Sequence, residues 1–475
     1  MPHSTVDQTS SLEAPYSGPR KLVLCLDGTG NQFMGFERDS NIVKIYQMLE
    51  KNTPGQFHYY QPGIGTYVEG QSSSSGLLRY PRKLQSNIIT TIDQGVGTTF
   101  ESHVLAAYRF IMRYYSPGDH IYIFGFSRGA YTARFLAEMI HELGLLSQGN
   151  EEMIHFAWET FSNFQQARGK TDRTAKDEAL ISYMKKFNTT FCRPQVQIHF
   201  LGLFDCVNSV GQFEIPFHRK SHQYLVSPAA RHIRHAVSIH ERRLKFKPAL
   251  VLLDKTKPVD LKEVWFAGNH GDVGGGWSLA PGQFHLLSDT PLNWMLQEVL
   301  HLEKSESKLS FHTLNVADVV ERENAFPGKE EPGTTAYDVR KRTNQPHDML
   351  MFNRGATFLM VIFWWILEIL PLFTRLELEH GKWVPRQWPP NMGAPRDIPE
   401  DAVIHPSVHE MVRAGILDPK SIPPRGGNNS HLPSTARITG AWKAMRKSQE
   451  KQISSLMQKK GPVDAMRSEF DGKAN

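Results

Sequence analysis

Ile121-Tyr122-Ile123-Phe124-Gly125-Phe126-Ser127-Arg128-Gly129-Ala130 is the stretch on which the fold turns. Ile121 to Phe126 is a short, fully apolar run, as expected of a strand covered on both faces. Before it, Ser116-Pro117-Gly118 stops an amphipathic helix marked by Val104, Tyr108, Ile111, Met112 and Tyr115. After it, Ala130, Ala133, Phe135, Ala137 and Ile140 mark a second helix. A strand that turns straight into a helix at G-x-S-x-G is the setting of a nucleophile elbow. There the serine sits on a sharp, strained turn with its hydroxyl exposed. The residues two before and two after must be nearly free of side chain, and Gly125 and Gly129 meet that need. A glycine-rich turn with a capping serine would carry the same five letters, so the flanking strand and helix give the motif its weight.

Working outward, Lys21 to Leu26 is another continuous apolar strand, ended by Asp27-Gly28-Thr29-Gly30. A helix follows, with Ser40 as its cap and Ile42, Ile45, Tyr46 and Leu49 on one face. Phe57 to Gln61 reads as a strand closed by Pro62-Gly63, and residues 69 to 76 read as a loop. A more polar, helical insertion is expected from about 147 to 190, then strands at Val196 to Phe204 and Glu263 to Phe266. Strands alternating with helices predict an α/β-hydrolase-like, mostly parallel sheet with helices on both faces. The expected division is a disordered segment at 1–19, a catalytic domain at 20–300 and a C-terminal extension at 301–475.

Composition narrows the function classes. The chain has 475 residues, 40% apolar and 21% charged, with a net charge of +6. Its basic residues are spread without the blocks of a nucleic-acid arm, so nucleic acid is not an expected partner. Cys25, Cys192 and Cys206 lie far apart with no ligand spacing, which argues against a disulfide framework and structural zinc. Residues 1 to 19 lack an apolar signal-peptide core, and the expected location is cytoplasmic with peripheral membrane contact.

A serine hydroxyl is a poor nucleophile at neutral pH unless a base takes its proton and an acid orients that base. In this fold the order is Ser, Asp or Glu, then His. Asp205 ends the apolar strand in Leu203-Phe204-Asp205-Cys206-Val207, at the carboxyl edge where α/β active sites form. His270 follows the strand Glu263 to Phe266, within Gly268-Asn269-His270-Gly271-Asp272. Asp272 is the rival acid, although a position two residues from the histidine is an awkward reach for the far ring nitrogen. The expected triad is Ser127, Asp205 and His270. The oxyanion hole needs backbone N–H donors, expected from Arg128 and from Gly28 or Thr29. The Asp-Gly-Thr string is also shared with phosphotransferases that begin D-x-D-G-T, but Cys25 stands where their nucleophilic aspartate would be.

Three strings carry a family resemblance: Asp27-Gly28-Thr29-Gly30-Asn31, Gly125-Phe126-Ser127-Arg128-Gly129-Ala130, and Trp265 to Gly276 with its His270-Gly271-Asp272-Val273-Gly274-Gly275-Gly276 end. With Gln61-Pro62-Gly63-Ile64-Gly65-Thr66, they resemble an α/β-hydrolase family known best from catalytic domains of bacterial type VI secretion phospholipase effectors. The resemblance covers about residues 20 to 300. It implies a Ser–Asp–His triad without metal or organic cofactor and, for the effectors, phospholipid ester hydrolysis. His240, in His235-Ala236-Val237-Ser238-Ile239-His240-Glu241-Arg242-Arg243, stands where that family usually has an aspartate. An ion-pair network around the core is the expected use of this stretch.

Gly355 to Phe373 is nearly all apolar, broken by Glu368 and Pro371. A spanning helix needs about 20 apolar residues and tolerates charge poorly. The segment therefore reads first as a helix packed on the catalytic domain near the site mouth, then as a membrane-surface anchor, and last as a span. Ala436 to Lys460 reads as a basic, solvent-facing helix. The expected function is ester hydrolysis of a phospholipase or esterase kind; the alternatives are an inactive α/β-hydrolase scaffold that binds, and a membrane-tethered interaction protein.

Overall fold

The structure, a computed structural model, describes residues 18–35, 38–63, 85–168, 172–207, 229–251, 260–280, 283, 285–302, 308–312, 345–370, 375–379, 382–386, 388 and 390–427. The expected loop at 69–76 and the basic helix at 436–460 lie outside these residues. In chain order the elements are β1 (Lys21–Leu26), α1 (Asn41–Met48), β2 (Gln56–Gln61), α2 (Gln85–Tyr114), β3 (His120–Phe126), α3 (Arg128–Glu142) and β4 (Leu145–Leu146). Next come α4 (Ile154–Arg168), α5 (Ala175–Phe191), β5 (Cys192–Arg193), β6 (Ile198–Phe204), β7 (Ala230–Ser238), β8 (Asp260–Phe266), α6 (His270–Gly274) and α7 (Asp289–Leu300). The C-terminal extension adds α8 (Phe358–Ile369), β9 (Arg375–Glu379), β10 (Lys382–Arg386), β11 (Val403–Ile404) and α9 (Pro406–Arg413).

Alternation along β1 sets the layering, because successive strand side chains point to opposite faces. Leu22, Leu24 and Leu26 pack with Val104, Tyr108 and Ile111 of α2 and Ala133 and Leu136 of α3. Val23 and Cys25 point the other way, to Ile42 and Ile45 of α1 and Leu292, Met295 and Leu296 of α7. With both faces covered, the strand is apolar from Leu22 to Leu26 and wholly buried. The main sheet has the order β2-β1-β3-β6-β7-β8-β11, and every neighbouring pair is parallel. Ser40 caps α1 by accepting from the Val43 N–H at 3.2 Å. Residues 154–168 and 175–191 form α4 and α5, bracketed by the small β4–β5 pair.

The sheet contains two strands that local pattern did not reveal. One is β7, which carries Arg234 and His235 into the interior. Arg234 pairs with Asp260 at 2.8 Å and with Glu298, while His235 pairs with Glu263 at 2.8 Å. Pairing is what makes such burial tolerable. The other is β11, which the extension lays against Val264 and Trp265 of β8. Behind it Ile398, Ile404, Val408 and Met411 join Val237, Ile239 and Trp265 in a third apolar cluster. The extension thus closes one edge of the main sheet.

Helix α8 turns Val361, Trp364 and Glu368 inward and leaves Phe358, Leu359, Ile362, Ile366 and Ile369 exposed. Its 12 residues span about 18 Å at 1.5 Å per residue, short of the ~30 Å hydrocarbon core. Among the described residues no helix is long and apolar enough to cross a membrane.

Candidate active site

The carboxyl ends of β1, β3, β6 and β8 converge on one edge of the sheet, and each delivers part of the site. Ser127 follows β3 with φ 58° and ψ −123°, a backbone state unusual for a non-glycine residue. Its N–H donates to the Phe204 carbonyl of β6 at 3.0 Å, which ties the turn to the neighbouring strand. A methyl on Gly125 would stand 2.6 Å from Ala130 Cα, and one on Gly129 would run into the carbonyls of Leu26 and Asp27. The elbow is therefore tight on both sides, as the five-residue motif predicts.

Asp205 follows β6, fully buried and also at positive φ, 39°. Its Oδ2 lies 2.6 Å from His270 Nδ1. Its Oδ1 accepts from the Ser238 N–H at 2.9 Å and from Arg396 Nη1 at 2.6 Å, while Arg396 Nη2 reaches Oδ2 at 2.9 Å. Burial alone would raise the Asp205 pKa, but the Arg396 charge and the His270 hydrogen bond overcome it and hold the carboxyl well below the usual range. Desolvation moves His270 the other way, lowering its pKa against the pull of Asp205 and Glu241. With Nδ1 facing Asp205, Nε2 is the nitrogen left to serve as base.

His270 is the first residue of α6, whose capping box joins Asn269 to Asp272. Its ring lies between Phe126 and Phe246, each with centroids 4.7 Å away. Asp272, the rival acid of the sequence, is committed elsewhere: it accepts from the Asn269 N–H at 2.9 Å and lies 2.6 Å from His347 Nδ1. The structure thus gives the His270 ring to Asp205. Both hydrogen bonds of Ser127 run through its backbone, and none joins its Oγ to His270 among the described residues.

The β1 turn abuts the serine, since a methyl on Gly28 would stand 3.1 Å from Ser127 Cβ. The Gly28 N–H donates to Asp27 Oδ1 at 2.7 Å, so of the two expected donors on this turn Gly28 is already engaged. Among the described residues the Thr29 hydroxyl is buried without a partner. Arg128 opens α3, which places its N–H at a helix N-terminus. Asp27 is also buried, and burial pushes its carboxyl up to about 6 against hydrogen bonds from Ser40, Gly28, Tyr60 and Asn31.

The stretch after β7 is an ion-pair network around the site. Glu241 pairs with Arg243 at 2.7 Å and accepts from the His270 N–H at 3.3 Å. Burial raises the Glu241 pKa, but the Arg243 charge holds it down at about 2. His240, at the position where the sequence departs from its family, accepts from the Gly268 N–H at 2.9 Å through Nδ1, so it braces the loop that carries His270. Arg396 had no signal in the sequence, because it lies in a stretch rich in proline, glycine and charge that reads as solvated surface.

A parallel sheet with a strained serine elbow and an Asp–His pair at the carboxyl ends of β6 and β8 defines an α/β-hydrolase-like protein. Residues 20–298 match the family of Tle1-like type VI secretion phospholipase effectors, catalytic domain, and the chain belongs to that family. The uncharacterized protein YEL023C of Saccharomyces cerevisiae is 25% identical over 86% of this chain and 81% of its own length. A crystal structure of an uncharacterized protein from Pseudomonas aeruginosa is 18% identical, with a TM-score of 0.32 over 68% of this chain and 52% of that one. The Tle1 effector bound to the VgrG spike of the type 6 secretion system is 18% identical, with a TM-score of 0.31 over 58% of this chain and 56% of that one. The chain therefore spans about half the length of each of these solved chains.

Proposed function

We propose that this protein is a serine hydrolase that cleaves a carboxylic ester of a lipid, in the manner of a phospholipase or esterase. The observation that carries the reading is the 2.6 Å contact of His270 Nδ1 with a fully buried Asp205, beside the strained elbow at Ser127. Family membership supports a lipid substrate. In this reading Ser127 Oγ attacks the ester carbonyl and passes its proton to His270 Nε2, while Asp205 steadies the imidazolium. The Arg128 N–H and the Thr29 N–H face the developing oxyanion. His270 then returns the proton to the leaving alcohol, and water repeats the cycle on the acyl-enzyme. Proton transfer requires Ser127 Oγ and His270 to close up when substrate binds, since apo contacts of this kind are commonly loose.

The outer face of α8 supports substrate uptake at a lipid surface. Phe358 and Leu359 are 65% and 76% exposed, and Ile362, Ile366 and Ile369 continue the same face. On the inner face Trp364 packs on Phe246, which packs on His270, so the apolar surface lies two ring contacts from the base. A lone exposed leucine is ordinary, but a contiguous patch of this kind marks an interaction site. In this reading the protein touches membranes peripherally.

The missing Oγ–His270 hydrogen bond is the observation that favours the alternative, an inactive scaffold that only binds. A fluorophosphonate probe separates the two, followed by a panel of phospholipid and short-chain esters. Labelling of the wild type and its loss in Ser127→Ala are expected; an unlabelled, inert wild type would overturn the hydrolase reading.

A further inference from the structure

Arg396 lies 191 positions from Asp205 in the chain and outside the residues that match the family, yet both side chains are fully buried against each other. The guanidinium takes the carboxylate along both oxygens, Nη1 to Oδ1 at 2.6 Å and Nη2 to Oδ2 at 2.9 Å. Such a two-point grip fixes the plane of a carboxylate as well as its charge. Nη1 also donates to Ser238 Oγ at 2.7 Å and to the Ser238 carbonyl at 3.0 Å, and Nη2 donates to the Phe246 carbonyl. One side chain of the extension thus holds the end of β7, the loop under His270 and the acid itself.

We propose that Arg396 is a positioning residue of the active site: it orients Asp205 so that Oδ2 faces His270, and it supplies the buried countercharge that keeps His270 a neutral base. The proposal rests on the Ser127–His270–Asp205 reading and extends it. The charges around His270 show why the countercharge matters. Asp205 comes from the end of β6, Glu241 and Arg243 from the loop after β7, and Arg396 from the extension; Phe126 and Phe246 cover the ring with no charge. Two anions and two cations cancel while the imidazole is neutral. Without Arg396 one buried negative charge is left over beside His270, and the ring holds its proton more tightly. Beyond Arg396 lie Lys247, Asp397, Glu368 and Arg375, a second mixed-sign shell that leaves this balance in place.

The position of Arg396 depends on α8. The Glu368 carboxylate accepts from the Leu244 N–H, from Asn391 Nδ2 and, at 3.1 Å, from the Gly393 N–H. The apolar helix is therefore fastened both to the loop that carries Phe246 and to the segment that presents Arg396. A route of direct contacts joins the exposed face of α8 to the catalytic acid.

The test is a pH titration of the His270 imidazole by NMR in the full-length chain, with His270→Gln to assign the signal, in wild type, Arg396→Met and Arg396→Lys. Arg396→Met should raise the His270 midpoint by about one pH unit, because the lost guanidinium is a like charge that disfavours the imidazolium. The acid limb of fluorophosphonate labelling should move with it. Arg396→Lys should return the midpoint towards wild type but recover only part of the labelling rate, because an ammonium does not reproduce the two-point grip. A folded Arg396→Met protein with an unmoved His270 midpoint would overturn the proposal. If Arg396→Met does not fold, the double variant Asp205→Asn with Arg396→Met decides: recovery of the fold supports the countercharge role, and no recovery overturns it. A wild type that no probe labels defeats the hydrolase reading alone, because the NMR midpoint still tests the clamp.

Discussion

Gly125→Ala tests the elbow by the smallest change available, one methyl group. A Cβ at this position would lie 2.6 Å from Ala130 Cα, 2.7 Å from the Gly129 carbonyl oxygen and 2.8 Å from Ala130 N. Carbon atoms prefer about 3.5 Å or more, so the shortfall is roughly 1 Å. All three neighbours are backbone, and none can swing aside as a side chain would. The strain is relieved only by moving β3 and α3 apart, and Ser127 stands at their junction. Overpacking of this size costs about 1–3 kcal/mol, against a total stability of roughly 5–15 kcal/mol, so the variant should fold. A displacement of about 1 Å at the nucleophile is expected to cost on the order of 100-fold in rate. The assay is kcat/KM on a soluble short-chain ester, with thermal unfolding run alongside. A melting point lowered by a few degrees and a loss of 30-fold or more are expected. Activity within threefold of wild type in the folded variant would refute the claim that a tight elbow positions the serine.

Other outcomes follow from the same geometry. Ser127→Ala should abolish turnover and probe labelling while leaving circular dichroism unchanged, and full activity in that variant would sink the nucleophile. Because burial lowers the His270 pKa, the base stays neutral below the usual imidazole midpoint of about 6.5; the acid limb of kcat/KM should fall at lower pH than that value, and a limb above it would contradict the assignment. Asp27 carries a carboxyl pushed up to about 6 by burial, so the stability of its protonated form is present below about pH 4 and is lost as pH rises through about 6. Asp27→Asn should therefore gain on the wild type across that window, which chemical denaturation at pH 4 and pH 7 would measure; an unchanged difference would refute it. Replacing Leu359 and Ile362 by serine removes two exposed apolar side chains worth about 1.5–3 kcal/mol each when fully buried. Vesicle co-sedimentation should fall at least tenfold with hydrolysis of a soluble ester intact, and carbonate should release the wild type; protein that leaves the pellet only with detergent would mean an integral segment.

The parts of this site that could be read in the sequence are those whose geometry is enforced by covalent neighbours. Gly125, Ser127 and Gly129 announce a tight turn because nothing bulkier fits beside the next residues of the same chain. Asp205 and His270 stand out as strand-end polar groups after apolar runs, and chain order supplies the rest. The parts that stayed hidden are polar residues whose burial depends on distant partners. In β7, Arg231, His232, Arg234 and His235 break any apolar pattern. The strand nevertheless lies inside the sheet because Asp260, Glu263 and Glu298, 26 to 64 positions away, pair with Arg234 and His235. Glu368 looked like a cost to an apolar helix, yet it is the inward anchor that accepts from Leu244, Asn391 and Gly393. Arg396, in Gly393-Ala394-Pro395-Arg396-Asp397, has the local appearance of solvent-facing coil and is completely buried. A buried charge is stable only with its partner in place, and the partner of Arg396 is an acid 191 positions away in the chain, just after β6. Local periodicity reports which face a residue would take if it stood alone. It therefore recovers the scaffold and the serine elbow, and it misses Arg396, whose place is set by a pairing that exists only once the chain has folded.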